Sequence, residues 1–273
     1  MLKQRVITAI LLASVMIGAV IFLPTQIFAL MLAVIICVAA WEWAACAGFN
    51  AISQKIIYVS LILLCLIACL IFLQKQWILL IIACGLVWWI IAMFLVIRYQ
   101  MNKSINLSSG IMKAIIGGVI LIPAWLSLIL IHLNTSGVSL VLFLFFLIWL
   151  ADSAAYFSGR KFGSKKLASN VSPGKSWEGV YGALSISLLF GASYAFYADM
   201  KSLVAVYFIL LVFLTASFSI LGDLVESMFK RMAGIKDSSN ILPGHGGILD
   251  RIDSLTSAAP VFFAGLWAIE RIS

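Results

Sequence analysis

Stretches of roughly 20 mainly apolar residues, long enough as helices to cross the ~30 Å hydrocarbon core of a bilayer, follow one another along almost the whole chain. They run from Val6 to Leu23, Ile27 to Ala47, Ile56 to Leu73, Trp77 to Ile97, Ile111 to Leu133, Val138 to Phe157, Val180 to Ala198, Leu203 to Leu221 and Leu255 to Ile269. With 64% hydrophobic and 10% charged residues over 273 positions, the chain lies outside the range of soluble domains, where about a quarter of residues are charged. Strict alternation of apolar and polar residues is absent, which argues against a membrane barrel. The expected fold is all-α, a polytopic integral membrane protein with about nine transmembrane helices.

Each crossing assigns the next loop to the opposite face, so the basic residues test the count. Fifteen of the 18 Lys and Arg fall on the face shared with the N-terminus, and only Lys75, Lys201 and Arg271 fall on the other. The bias predicts an N-terminus in the cytoplasm and a C-terminus outside. The first span follows a short basic segment but lacks a small-x-small cleavage site, so it is expected to be a retained helix. Cys37, Cys46, Cys65, Cys69 and Cys84 all lie in spans and read as packing residues. The net charge of +8 reflects loop bias and attraction to anionic lipid heads, and no nucleic-acid partner is implied.

Acidic residues separate scaffold from chemistry. Of the ten, only Glu42 precedes position 150. We divide the chain into residues 1–97, an N-terminal group of four spans; residues 98–137, a linker and middle span; and residues 138–273, a catalytic membrane domain. Two polar cytoplasmic loops, 158–179 and 222–254, belong to that domain and are expected to fold over one another.

Asp223 and Glu226 are at i and i+3, as are Asp250 and Asp253, so on helices each pair shares a face. Asp223 ends the eighth span and Asp250 lies just before the ninth, which would bring two carboxylates together at the membrane surface. Carboxylates near lipid are costly unless paired. Asp223 and Asp250 are therefore the candidate metal ligands, and oxygen donors without nearby Cys favour a hard ion such as Mg²⁺. The competing reading pairs these acids with Lys230, Arg231, Lys236 and Arg251, above all Glu226 with Lys230 at i and i+4. "PGHGG" at 243–247 precedes a helix start, where backbone N–H groups can bind phosphate oxygens, and His245 can bind phosphate or move a proton. "SPGKSWEG" sets Lys175 and Ser176 after a turn and Glu178 in a first helical turn, fitting either phosphate binding or anchoring and a helix start. Asp152 lies deep enough in its span to need a partner. Glu42, between Trp41 and Trp43, reads as an interfacial or inter-helix packing residue, and His132 is assigned no role. Basic groups, Gly-rich turns and acids on one face fit phosphoryl or nucleotidyl transfer, and no Walker motif is present.

The stretch "SMFKRMAGIKDSSNILPGHGGILDRID" resembles the signature of phosphatidate cytidylyltransferases (CDP-diacylglycerol synthases). Ser227, Lys230, Arg231, Lys236, Asp237, Pro243, His245, Gly246, Gly247, Asp250, Arg251 and Asp253 match, twelve positions within 27 residues. "GDLVES" looks like the segment with the family's other metal-binding aspartate, here Asp223. "SPGKSWEG" and "DSAAYFSGRKFG" resemble further family segments, with Ser153 in place of the usual Thr.

The resemblance implies that CTP and phosphatidic acid give CDP-diacylglycerol and pyrophosphate for phospholipid synthesis. It also implies Mg²⁺, a second, monovalent cation such as K⁺, and a homodimer in the bacterial inner membrane with its active site facing the cytoplasm. Asp223 and Asp250 would hold the metals; Lys236, Asp237, His245, Arg251 and Asp253 would join them in catalysis. Lys175, Ser176, Glu178, Ser227, Lys230, Arg231, Gly246 and Gly247 would bind substrate. Two rivals are a CTP-dependent lipid-alcohol kinase, against which the complete signature argues, and an ion-coupled anion transporter, which would carry charge near the middle of several spans.

Overall fold

A computed structural model describes residues 2–71, 75–242, 244 and 246–271. In chain order they form α1 (Leu2–Phe22), α2 (Thr25–Cys46), α3 (Ile52–Ile71), α4 (Lys75–Gln100), α5 (Gly110–His132), α6 (Gly137–Phe162), β1 (Lys166–Ala168), β2 (Ser172–Ser176), α7 (Trp177–Tyr197), α8 (Ser202–Met232) and α9 (Leu249–Ile269). Eight of these helices are long and apolar enough to cross a membrane; the exception is α1, whose apolar run is the shorter Ile7–Phe22. The polytopic helical architecture is the expected one. A two-stranded antiparallel hairpin is the only sheet among the described residues.

The helices outrun the apolar spans at one side of the molecule. α6 continues to Phe162, α8 to Met232, and α9 begins at Leu249, so the expected loops over 158–179 and 222–254 shrink to residues 163–176 and 233–248. Hydropathy reports where lipid ends, whereas helix continuation depends on backbone bonding and on side chains one turn apart. Along the extension of α8, Ser227 donates to Asp223 at 3.3 Å and Lys230 meets Glu226 at 2.9 Å, both at i and i+4. The acids expected in a loop therefore stand on a rigid helix.

Small residues let α8 and α9 approach closely. A Cβ on Gly222 would stand 2.5 Å from the backbone oxygen of Asp253 and collide with Ser257 Oγ. Ser257 Oγ in turn donates to the carbonyl of Phe218 at 2.6 Å, across the same contact. Deeper in the bundle, Phe143 of α6 packs on Phe190, Tyr194, Phe208 and Phe262, with ring centroids 4.6–5.8 Å apart, and so joins α6 to α7, α8 and α9.

The N-terminal helices are fastened to this half through α5. Trp43 Nε1 donates to Lys113 O at 2.8 Å, the Tyr58 hydroxyl to Ala114 O at 3.0 Å, and Trp125 Nε1 to Ala29 O at 3.0 Å. The segment after α4 is also tied down: Asn170 of the hairpin turn donates its side-chain amide to Gln100 O at 2.8 Å and to Asn102 Oδ1 at 3.1 Å. His132 bonds Thr25 Oγ1 (2.9 Å) and Val20 O (3.1 Å) through its two ring nitrogens and stacks on Phe28, so it fixes the α1–α2 turn against α5. The five cysteines are free thiols.

Candidate active site

The contact at Gly222 sets the geometry of the site, because it places the C-terminal turns of α8 against the first turns of α9. Asp223 follows Gly222 directly, and its Oδ2 lies 2.6 Å from Nζ of Lys175. Lys175 is delivered by β2, whose hairpin is pinned to α8 where Arg231 Nε donates to the carbonyl of fully buried Val171 at 3.3 Å. The hairpin that interrupts the all-helical pattern thus carries a cation to an acid that lies in a membrane helix. Both side chains remain partly exposed, 26% and 31%.

Asp250 occupies a different setting. Its Oδ1 lies 2.5 Å from Lys230 Nζ, and its Oδ2 accepts from Gly247 N (2.8 Å), Ser238 Oγ (3.0 Å) and Ser238 N (3.1 Å). Lys230 also meets Glu226 at 2.9 Å, so one buried ammonium serves two carboxylates. A buried charge of either sign costs several kcal/mol unless matched, and this triad supplies the match between α8 and α9. Of the Glu226 oxygens only Oε1 has the Lys230 ion pair, and among the described residues neither accepts a directed hydrogen bond.

Asp152, Asp223 and Asp253 are near enough to interact electrostatically, with Lys175 beside all three and Arg251 beside Asp152. Asp253 Oδ1 accepts from Ser254 N at 2.6 Å. Asp152, Arg251 and Asp253 also line a cavity of about 570 Å³, together with apolar side chains from α1, α2, α5 and α6 such as Ala13, Ile35, Leu128 and Trp149. A hydrophobic slot ending in acids and a guanidinium can take an amphiphile with an anionic head.

The remaining expected site residues divide by what they touch. Ser176 is the N-cap of α7 and accepts from Gly179 N at 3.2 Å. Glu178 accepts from Ser164 Oγ (2.6 Å) and Lys165 N (3.2 Å), closing the hairpin onto α7. Arg231 bonds the carbonyls of Val171 and Ile235. These three act on the scaffold around the site. Ser227 supports Asp223, and Lys236, Asp237 and Arg251 are exposed. Gly246 has φ +82° and is bridged to Leu242, while Gly247 N binds Asp250. Pro243 and His245 lie outside the described residues.

Asp223 and Asp250, expected to share a metal, stand in separate ion pairs. Among the described residues no three Asp, Glu, His or Cys side chains form a ready metal cage. An oxygen-only donor set with one or two available carboxylates still fits Mg²⁺, which keeps waters and takes substrate phosphates as ligands rather than a protein cage. Asp223, partly exposed and held by a displaceable lysine on Oδ2 and by Ser227 at 3.3 Å on Oδ1, fits that description, as does Asp253 through its second oxygen. Asp250 fits it only on release of donors it now holds.

Residues 3–269 match the model of the Cytidylyltransferase family. The chain belongs to that family. A cytidylyltransferase is also what its relatives are named: the chain is 44% identical over 269 residues to a phosphatidate cytidylyltransferase of Pseudomonas aeruginosa, covering 98% of both chains. It is 38% identical to one of Haemophilus influenzae, covering 96% of this chain and 97% of that one. A Bacillus subtilis phosphatidate cytidylyltransferase is 39% identical over 132 residues, about half of each chain. The likeness to the first two reaches the N-terminal helices, which the sequence motifs alone do not cover.

One residue of this cytidylyltransferase site was assigned elsewhere by sequence reasoning. Glu42 of α2, read as a packing residue, is 1% exposed and accepts from Ser239 Oγ (2.5 Å), Leu249 N (2.6 Å), Ser238 Oγ (3.1 Å) and Ile248 N (3.1 Å). The available signal was its isolation: a lone acid in an apolar span needs partners, and none is local.

Proposed function

We propose that this chain transfers the CMP group of CTP to phosphatidate, giving CDP-diacylglycerol and pyrophosphate, at the cytoplasmic edge of the inner membrane. The observation that carries the proposal is the end-to-end match to a relative named for that reaction, 44% identical over 98% of the chain. The cavity supports it, since acids and an arginine lie beside an apolar slot bounded by membrane helices. Phosphatidate cannot leave lipid cheaply, at about 0.8 kcal/mol per exposed CH₂, and CTP cannot enter it. The fifteen-to-three bias of basic residues supports a cytoplasmic site.

In the reaction an oxygen of the phosphatidate phosphate forms a bond to the α-phosphorus of CTP while the bond to the bridging oxygen of the β-phosphate breaks, and the electron pair leaves with pyrophosphate. The lipid phosphate is already largely ionised at neutral pH, so no strong base is required. Arg251, which lines the cavity, would receive the lipid phosphate, and Lys175 can pass from Asp223 to an incoming phosphate oxygen. Exposed Lys236 is a second cation for the triphosphate. Mg²⁺, held by Asp223 with Asp253 or a released Asp250, would neutralise phosphate charge when bound. Catalysis by the chain itself is then positioning and electrostatic complementarity. A monovalent second cation and a homodimer, implied by the family resemblance, complete the proposal.

Purified protein given CTP, Mg²⁺ and phosphatidate is expected to release pyrophosphate only when the lipid is present, and Asp223→Asn to lower kcat by at least ~100-fold while remaining folded. Label from α-labelled CTP should enter lipid. Entry of γ-label instead would establish the lipid kinase, and no CTP consumption would sink both.

A further inference from the structure

Glu42 is the only acid in the first 150 residues, yet among the described residues its hydrogen-bond partners all lie in the segment 238–249. Each oxygen takes two donors: Oε1 from Ser239 Oγ and Ile248 N, Oε2 from Ser238 Oγ and Leu249 N. A helix leaves its first N–H groups without intrahelical acceptors, and a side chain at the N-cap normally accepts from them. The N-cap of α9 is Ile248, whose side chain has no acceptor to offer. The carboxylate of α2 takes that place from across the bundle, with its charge at the positive end of the α9 dipole.

The same carboxylate accounts for a glycine. A Cβ on Gly247 would lie 2.6 Å from both Glu42 oxygens and collide with Ser238 Oγ. Ser238 continues the chain of contacts, because its hydroxyl also lies 3.0 Å from Asp250 Oδ2, next to the Lys230 pair, and shares its one proton between the two carboxylates. Glu42 therefore fixes both the loop before α9 and the register at which Asp250, Arg251 and Asp253 leave it.

We infer that Glu42 is a positioning residue for the cytidylyl transfer, a cap supplied in trans by the N-terminal helix group that aims the first turn of α9 at the substrates. The inference rests on the proposed reaction for its kinetic consequence and on geometry alone for its structural one. Glu42→Gln keeps the volume but turns one acceptor into a donor facing donors. In lipid nanodiscs it is expected to lower kcat by roughly 10- to 100-fold and to raise the KM for phosphatidate by a smaller factor, since the apolar wall from α1, α2, α5 and α6 is kept while Arg251 is displaced. Glu42→Asp, which keeps both acceptors on a shorter stem, should fall between it and the unmodified protein. His132→Ala, at the far α1–α2 turn, is the comparator for a purely structural loss; its kcat should hold at temperatures where it is folded.

Amide hydrogen exchange over residues 237–253 supplies a readout independent of turnover. Glu42→Gln should speed exchange at Ile248 and Leu249 while α5 and α6 stay as protected as before. Unchanged exchange there overturns the inference whether or not CTP is consumed. An active protein whose kcat is unaffected by Glu42→Gln, or falls only in step with the His132→Ala loss of stability, overturns it as well. An unmodified protein that consumes no CTP defeats the proposed reaction and leaves the exchange experiment to decide the cap.

Discussion

Lys230 shows how much one side chain can be asked to balance. Its ammonium lies 2.5 Å from Asp250 and 2.9 Å from Glu226, all three largely out of solvent. Removing it leaves two carboxylates facing each other where neither can be solvated. Lys230→Met is expected to destabilise the protein by about 3–5 kcal/mol, in the range found when one partner of a buried pair is deleted. Adding Glu226→Gln and Asp250→Asn should return much of that loss without returning activity, as denaturant unfolding in detergent alongside pyrophosphate release would reveal. The sequence exposed only the i, i+4 half of this arrangement; the half that reaches α9 depends on how two helices meet.

Among elements, the α8–α9 pair decides where the acids stand. The two helices approach closely at Gly222, one residue before Asp223, with Ser257 and the carbonyl of Asp253 on the other side. Gly222→Ala would press a methyl group against backbone, which cannot swing aside as a flexible side chain can. The expected result is a loss of about 1–3 kcal/mol in stability, typical of overpacking, and at least a ~10-fold fall in kcat as the Asp223 and Asp253 carboxylates separate. Hydropathy located both helices but misjudged their ends. The apolar spans ended at Leu221 and began again at Leu255, whereas the helices run to Met232 and from Leu249, the latter where the Gly-rich turn at 243–247 signalled a helix start. Polar residues stopped the apolar signal without stopping the helix.

For the whole molecule, the cavity joins the two halves that the charge distribution had separated. α1 and α2 supply much of its apolar wall, and α6 and α9 supply its acids and Arg251. If acyl chains of phosphatidate lie there, Ala13→Trp should raise the KM for a long-chain phosphatidate by roughly tenfold or more, on the scale of lost hydrophobic pocket contacts, and leave the KM for CTP nearly unchanged. Steady-state kinetics in mixed micelles would check this, and an equal rise in both constants would count against a lipid slot.

The sequence by itself determined that the chain is a bundle of membrane helices, because apolar runs of bilayer length admit few other solutions. It also determined the chemical character of the site, because charges in such a chain are too costly to be incidental and their motif is specific. Tertiary structure alone decided the pairings: Lys175 with Asp223, Lys230 with Asp250, and Glu42 with the start of α9. Those partners lie between 20 and 207 residues apart, and such distances are closed only when helices pack. Local periodicity says which face a side chain occupies but not which helix that face will meet.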